Sequence, residues 1–334
     1  LLRQWCGHLY IDVRRSVSRD PARMTLEAPQ RRRSAGGADL VAVEAEADAA
    51  GEAHANAERL ARGIIDAARH GGGFSREDVL ATVEPIVRSI VRNYDAFFWI
   101  EALRKRDEYA YSHAVSCSAL AAALGRHMGF PEPELIELAS GGLLMDIGKV
   151  ALPEDLLGQP GPLLPAQRAV ARSHVQHSLR ILDEMGVGSV AVRAMVGHHH
   201  EAFDGTGYPE GLAGDAIPLF GRMAAVVDAF DAMTSTRPYA RAMSRHDALQ
   251  DLYRHAGKRY QQEVVEQLTQ CLGVYPTGSL VELSTGEVAL VMSQNRVRQL
   301  RPRVILLTGP DKRIDPGFRR IDLMGQPTTA DGRS

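Results

Sequence analysis

Histidine and carboxylate residues recur along the middle of the chain in a pattern that suits metal chemistry. Five segments carry them: His113, Met145-Asp146-Ile147-Gly148-Lys149, His174, His199-His200-Glu201 and Asp228. Imidazole nitrogen and carboxylate oxygen suit first-row divalent ions such as iron, manganese or zinc, and the lack of nearby thiolates argues against a structural zinc clip. One carboxylate between two clusters of histidines could bridge two cations, which together activate a water and stabilise a leaving oxygen. Taken singly, His113 or His174 reads as an ordinary core or surface histidine. The run His198, His199 and His200 is harder to explain that way, although only inward-facing rings could share an ion. Asp228 lies in Met223-Ala224-Ala225-Val226-Val227-Asp228-Ala229-Phe230, an otherwise apolar stretch, where a buried carboxylate needs a cation, an arginine or hydrogen-bond donors. Asp231, one turn later, reads more simply as a helix-end or salt-bridge residue.

The elements that must position these groups are helical. Residues 41–69 are rich in Ala, Glu and Arg, which favours a long helix through propensity alone. Gly71-Gly72-Gly73 ends it, and Ser75 with Asp78 forms a capping-box pattern that opens the next helix. Val79, Leu80, Val83, Ile86, Val87, Ile90, Val91 and Tyr94 follow at helical spacing, so one face must be buried. Pro85 lies inside this run and could bend it, but the periodicity continues past it. Between Ser112 and Leu272 helical runs alternate with Gly and Pro clusters, without strand alternation, which predicts an all-α bundle.

The ends differ from the middle. Leu9-Tyr10-Ile11-Asp12-Val13 reads as a strand, and residues 1–40 as the remnant of an accessory domain with a linker carrying Arg31-Arg32-Arg33. Leu280-Val281-Glu282-Leu283, Val288-Ala289-Leu290-Val291-Met292 and Arg303-Val304-Ile305-Leu306-Leu307, around a Thr285-Gly286-Glu287 turn, predict a small antiparallel sheet over residues 273–315. Residues 316–334 are expected to be disordered. The intervening divisions are helices leading into the bundle at 41–98 and the bundle itself at 99–272.

Bulk properties exclude several classes. A net charge of -2 offers no field to attract a nucleic-acid polymer, and no apolar run reaches the length of a membrane span. Cys6, Cys117 and Cys271 are odd in number and widely spaced, which predicts a reducing, cytoplasmic setting rather than a disulfide framework. The first residue is Leu1 rather than Met, so residues upstream are expected to be missing.

The stretch His199-His200-Glu201-Ala202-Phe203-Asp204-Gly205-Thr206-Gly207-Tyr208-Pro209 resembles the HHExxDGxGYP signature of the HD-GYP family, a branch of the HD phosphohydrolases. Asp146-Ile147-Gly148-Lys149, Pro160-Gly161, the segment around His174, Val227-Asp228-Ala229-Phe230-Asp231 and Arg237-Pro238-Tyr239 flank it in the matching order over roughly residues 95–270. The resemblance implies an α-helical domain that hydrolyses cyclic di-GMP with two or three iron or manganese ions. It implies that His113 and Asp228 serve the first metal, that Asp146 bridges, and that His174, His199 and His200 complete the second. Lys149 would approach the scissile phosphate as a point charge, and Gly207, Tyr208, Pro209 and Arg237 would line the substrate. The GYP loop can also meet diguanylate cyclase (GGDEF) proteins in the family, and helices over 41–98 are candidates for a homodimer contact.

The chain departs from the family where its name originates. Met145 stands in place of the histidine of the His-Asp pair, and a thioether is a poor ligand for hard or borderline ions. Tyr109 occupies the place of a glutamate that serves a third ion in some members, so two ions are expected rather than three. Gln159 before Pro160-Gly161 and Tyr260-Gln261-Gln262 depart as well. The leading expectation is a cyclic di-GMP phosphodiesterase with a weakened first metal site. The alternative is a degenerate domain acting as a cyclic di-GMP receptor or protein-interaction module. A different HD nucleotidase is disfavoured by the completeness of the GYP motif.

Overall fold

A computed structural model describes residues 39–103, 109–159, 161–236 and 242–325. The expected N-terminal strand, the Arg triplet and Arg237 lie outside these residues. The Ala-rich segment forms α1 (Val43–Arg69), whose buried stripe of Ala50, Ala53, Ala57, Ala61, Ile64 and Ile65 lies along α2 (Arg76–Leu103). Small residues every third or fourth position let the two helices approach closely along that stripe. Ser75 and Asp78 make the reciprocal cap: the Ser75 backbone N–H donates to Asp78 Oδ2 at 2.8 Å, and the Asp78 N–H to Ser75 Oγ at 3.2 Å.

The bend in α2 falls at Asn93 rather than at Pro85. Asn93 has φ -163° and ψ 106°, outside the helical region. Its side chain accounts for the break, because Nδ2 donates to the Val41 carbonyl at 2.8 Å while Oδ1 accepts from the Ala96 N–H at 3.3 Å. The asparagine thereby caps the second half of α2 and ties it to the start of α1. Pro85 sits inside the first half without interrupting it.

The centre of the bundle is α3 (Tyr109–Met128), buried on nearly every side, packed against α4 (Glu132–Leu144). Gly142 allows the closest approach, since a Cβ there would lie 2.6 Å from the Cys117 carbonyl oxygen. A 3-10 turn (Ile147–Ala151) follows, then α5 (Glu154–Gly158), α6 (Pro165–Arg172), α7 (His174–Met185) and α8 (Val190–His198). After the glycine-rich loop come α9 (Leu219–Thr234), α10 (Arg245–Arg254) and α11 (Gln262–Leu272). One apolar core runs through these helices and includes Phe97, Leu120, Leu124, Leu138, Met195, Val226 and Leu268. Among the described residues, no helix is long and apolar enough to cross a membrane.

The C-terminal sheet is larger than its sequence suggests. Strands β1 (Leu280–Glu282), β2 (Val288–Ser293), β3 (Arg303–Leu306) and β4 (Arg320–Asp322) form an antiparallel meander in the order β1-β2-β3-β4. Expected disorder from 316 is therefore corrected over β4, where Arg320, Ile321 and Asp322 pair with Ile305, Val304 and Arg303. The strand is polar on both sides of Ile321, so alternation alone could not reveal it; pairing with β3 satisfies its backbone. Asp95 of α2 anchors the sheet to the bundle by accepting from Thr277 Oγ1 and, at 3.0 Å, from the Gln294 N–H.

Candidate metal centre

The helix order brings six of the expected residues to one place. His113 comes from the first turn of α3, Asp146 follows the end of α4, His174 opens α7, His199 and His200 follow α8, and Asp228 lies midway along α9. Gly148 is the hinge of this arrangement. A Cβ on it would lie 2.1 Å from the His174 carbonyl oxygen and 2.3 Å from the Ser178 nitrogen, so only glycine lets the 3-10 turn press against the start of α7. Ser178 then locks the contact, accepting from the Gly148 N–H at 2.8 Å and donating to the Met145 carbonyl at 3.0 Å.

Asp146 is the hub. His113 Nε2 lies 3.2 Å from its Oδ2, while His174 Nε2 and His199 Nε2 lie 3.3 and 3.7 Å from its Oδ1. His113 Nε2 also lies 3.3 Å from Asp228 Oδ1, and His200 Nδ1 lies 3.9 Å from Asp228 Oδ2. Two of the candidate ligand groups share the Asp146 carboxylate, one of His113, Asp146 and Asp228, the other of Asp146, His174, His199 and His200, while a third set, His113, Cys117 and Asp231, lies on the other side of the His113 ring.

The hydrogen bonds behind the rings show what this pocket asks for. His174 Nδ1 lies 2.7 Å from the Ala171 carbonyl and His199 Nδ1 lies 2.9 Å from the Val196 carbonyl. A carbonyl can only accept, so each Nδ1 carries the proton and, in the neutral ring, each Nε2 is left with a lone pair. Those lone pairs point at Asp146 Oδ1, which is buried and has no hydrogen-bond partner among the described residues. Acceptors converging without a donor fit a divalent cation.

Electrostatics favour the ionised carboxylates. Burial opposes the charge on Asp146, but the Lys149 ammonium and the surrounding imidazoles of His113, His174 and His199 hold it well below the usual carboxylate range. Asp228 is likewise held low against burial, by His113 and His200. Burial and the neighbouring His199 push His200 well below the ordinary imidazole range, leaving it neutral and able to ligate. Burial works against the His113 imidazolium, yet hydrogen bonds to Asp146, Asp228 and Asp231 raise it well above its ordinary value.

Lys149 Nζ lies 2.5 Å from Asp146 Oδ2. The two residues meet because Asp146 precedes the 3-10 turn that carries Lys149, and such a turn stacks residues three apart. His198 is turned away, with Nδ1 2.9 Å from the Ala194 carbonyl and Nε2 3.8 Å from Glu210. Met145 is buried in the apolar core.

The loop after His200 is held by its own motif residues. The Glu201 carboxylate accepts from the backbone N–H groups of Glu210, Gly211 and Leu212 at 2.7, 3.2 and 3.0 Å. Asp204 Oδ1 accepts from the Thr206 N–H at 3.0 Å, and a Cβ on Gly207 would lie 2.2 Å from the Ala202 nitrogen. The loop thus folds back on the strand of chain that supplies His199 and His200. Tyr208 stacks on His200 at 4.7 Å between ring centroids, with the Arg172 guanidinium 4.6 Å from the Tyr208 ring. Pro209 follows through a cis peptide bond. Tyr208 therefore stands beside the second ligand group, with Gly207 and Pro209 on either side of it in the loop.

Sequence reasoning left three participants without a role at the site. Glu201 was legible only as part of the motif, and Arg172 carried no signal beyond lying two residues before His174. Asp231, read as a helix-end or salt-bridge residue, is the buried ion-pair partner of His113, 2.7 Å from its Nδ1; what the sequence did not give was the partner's identity.

The family model of the HD domain matches residues 98–264. The chain belongs to the HD domain family. Within the HD domain fall all the ligands described above. The chain is 35% identical over 256 residues to a cyclic di-GMP phosphodiesterase of Pseudomonas aeruginosa, a match covering 77% of this chain and 62% of that protein. It is 33% identical over 186 residues to the cyclic di-GMP phosphodiesterase response regulator RpfG of Xanthomonas campestris, covering 53% of this chain and 49% of the relative. The chain thus spans 62% and 49% of the length of these two curated relatives. In fold, an HDG"Y"P protein from Bdellovibrio bacteriovorus superposes with a TM-score of 0.54 at 16% identity, covering 69% of this chain and 77% of that one.

Proposed function

We propose that this HD domain is a phosphodiesterase of the HD-GYP type that hydrolyses cyclic di-GMP with two divalent cations, iron or manganese. The observation that carries the reading is the convergence of His174 Nε2 and His199 Nε2 on the unpartnered Asp146 Oδ1, next to a second group sharing the same carboxylate. His113 and Asp228 would hold the first cation, His174, His199 and His200 the second, with Asp146 between them. When bound, two cations supply an activated water and neutralise charge on the phosphodiester.

The chain's own residues do the rest. Lys149 is partly exposed and carries its charge beside Asp146, placed to meet the phosphate oxygens as negative charge builds in the transition state. Tyr208, braced by His200 and Arg172, puts an aromatic ring and a guanidinium at the rim for contact with a nucleobase. Arg237 is proposed to join it, and the exposed side of the loop is the proposed contact for diguanylate cyclase (GGDEF) proteins. Met145 gives the first group one ligand fewer than the family pattern, so the His113 side is the weaker of the two.

The test is product formation from cyclic di-GMP with manganese or ferrous iron added to the purified protein. Slow hydrolysis that rises on Met145→His and vanishes on Asp146→Ala is expected. Tight binding of the dinucleotide with no product on long incubation would instead establish a receptor. Metal analysis showing no iron or manganese above background after reconstitution would sink the two-cation reading.

A further inference from the structure

The two nitrogens of His113 face different surroundings. Nε2 points toward Asp146 and Asp228 at 3.2 and 3.3 Å, whereas Nδ1 lies 2.7 Å from Asp231 Oδ2 on the opposite side of the ring. Asp231 is 2% exposed, and Ser235 Oγ donates to the same Oδ2 at 3.1 Å. Cys117 Sγ is also near, but at 3.6 Å from Nδ1 it is farther than the Asp231 oxygen, and sulfur is the weaker acceptor. Asp228 and Asp231 therefore divide the labour of one helix face: the first looks into the ligand group and the second stands behind the ring.

We infer that Asp231 is a positioning residue for the first cation. By accepting the Nδ1 proton it fixes the His113 ring with Nε2 toward Asp146 and Asp228, so that Nε2 is the nitrogen that gives up its proton to a cation, and its negative charge makes that nitrogen a stronger donor. The inference rests on the two-cation reading of the site. It gains force from a contrast between the two groups. His174 and His199 are backed by the neutral carbonyls of Ala171 and Val196, whereas His113 is backed by a carboxylate. The charged brace serves the group that Met145 leaves with three protein ligands rather than four, where the strength of each remaining ligand matters most.

Manganese titration of the metal-free protein, followed by calorimetry, tests this in wild type, Asp231→Asn, Asp231→Ala, His113→Ala and the double variant Asp231→Ala/His113→Ala. His113→Ala is expected to remove the weaker of two binding events. Asp231→Ala is expected to weaken that same event by ~10- to 100-fold, the usual cost of losing such a brace, and to leave the tighter event unchanged. Asp231→Asn, which can still accept the Nδ1 proton but lacks the charge, should fall between, and it carries the test if the alanine variant fails to fold. The double variant should bind as His113→Ala does. A weaker event unchanged in a folded Asp231→Ala protein would overturn the inference, as would an equal loss at both events, which marks a merely structural residue. Two events that both survive His113→Ala would show that His113 is no ligand, and the two-cation reading would fall with the inference.

Discussion

Two buried carboxylate environments in this molecule behave in opposite ways. At the ligand groups, Asp146 and Asp228 are surrounded by histidines and Lys149 and are held ionised well below the usual range. At the dock between α2 and the sheet, burial pushes Asp95 up to about 6, against the opposing pull of Thr277, the Gln294 N–H and Arg296. Asp95 is the more deeply buried, 1% exposed against 14% for Asp146 and 16% for Asp228, and the company differs as well. Cationic or cation-seeking groups keep a carboxylate charged, while a hydroxyl and a peptide N–H only partly replace lost water. The first arrangement concentrates negative charge for a metal, and the second makes a joint.

The largest effect expected from breaking this contrast is at the hub. Asp146→Ala removes the shared ligand of both groups, and phosphodiester hydrolysis should fall by at least about 10³-fold, the equivalent of several kcal/mol of charge stabilisation. Product assays alongside metal analysis check it, with both cations lost together.

The second effect is on stability and has a definite sign. Asp95 titrates near its ordinary value of 3.8 when unfolded and at about 6 when folded, so its stabilising contribution is full below pH ~4 and is lost as pH rises through 6. Asp95→Asn, an uncharged isostere, should therefore gain on wild type between pH ~4 and ~6, by up to about 3 kcal/mol, and hold that advantage above. Urea midpoints measured across this range test it, and a constant difference between the two proteins would refute the assignment. Asp146 and Asp228 have the opposite sign, contributing above pH ~4 and losing that contribution as pH falls.

Lys149→Met sharpens the first environment without touching the histidines. It should lower kcat by about 10²-fold, the scale of one lost transition-state donor, while leaving the cation content near that of wild type. The smallest expected change is Thr277→Val, which removes the hydroxyl on Asp95. It should cost about 1–3 kcal/mol and move the Asp95 transition above pH 6, because that hydrogen bond favours the charged form.

How much of this was legible beforehand depends on the distance over which each feature is decided. The helices over 41–103 followed from Ala-rich propensity, the Ser75–Asp78 cap and the apolar spacing from Val79 to Tyr94, all local signals. The bend at Asn93 was not legible, because it depends on the Val41 carbonyl 52 residues away. The ligand residues were visible by type and motif, while their partition into two groups around Asp146 needed five separate segments to meet. Strand β4 carried too little apolar alternation to be seen without β3 beside it.

For the metal centre, sequence alone determined the chemistry on offer: four histidines and two aspartates able to ligate, a lysine three residues after the hub, and a methionine immediately before it. Motif order also determined that these residues belong together. Only the tertiary structure decided which ring nitrogen each histidine presents, that Asp146 Oδ1 lacks a donor, and that Asp231 stands behind His113, 118 residues distant in sequence. The reason is that side-chain identity is local, whereas tautomer, ligand direction and an unmet hydrogen bond are properties of what the folded chain brings alongside.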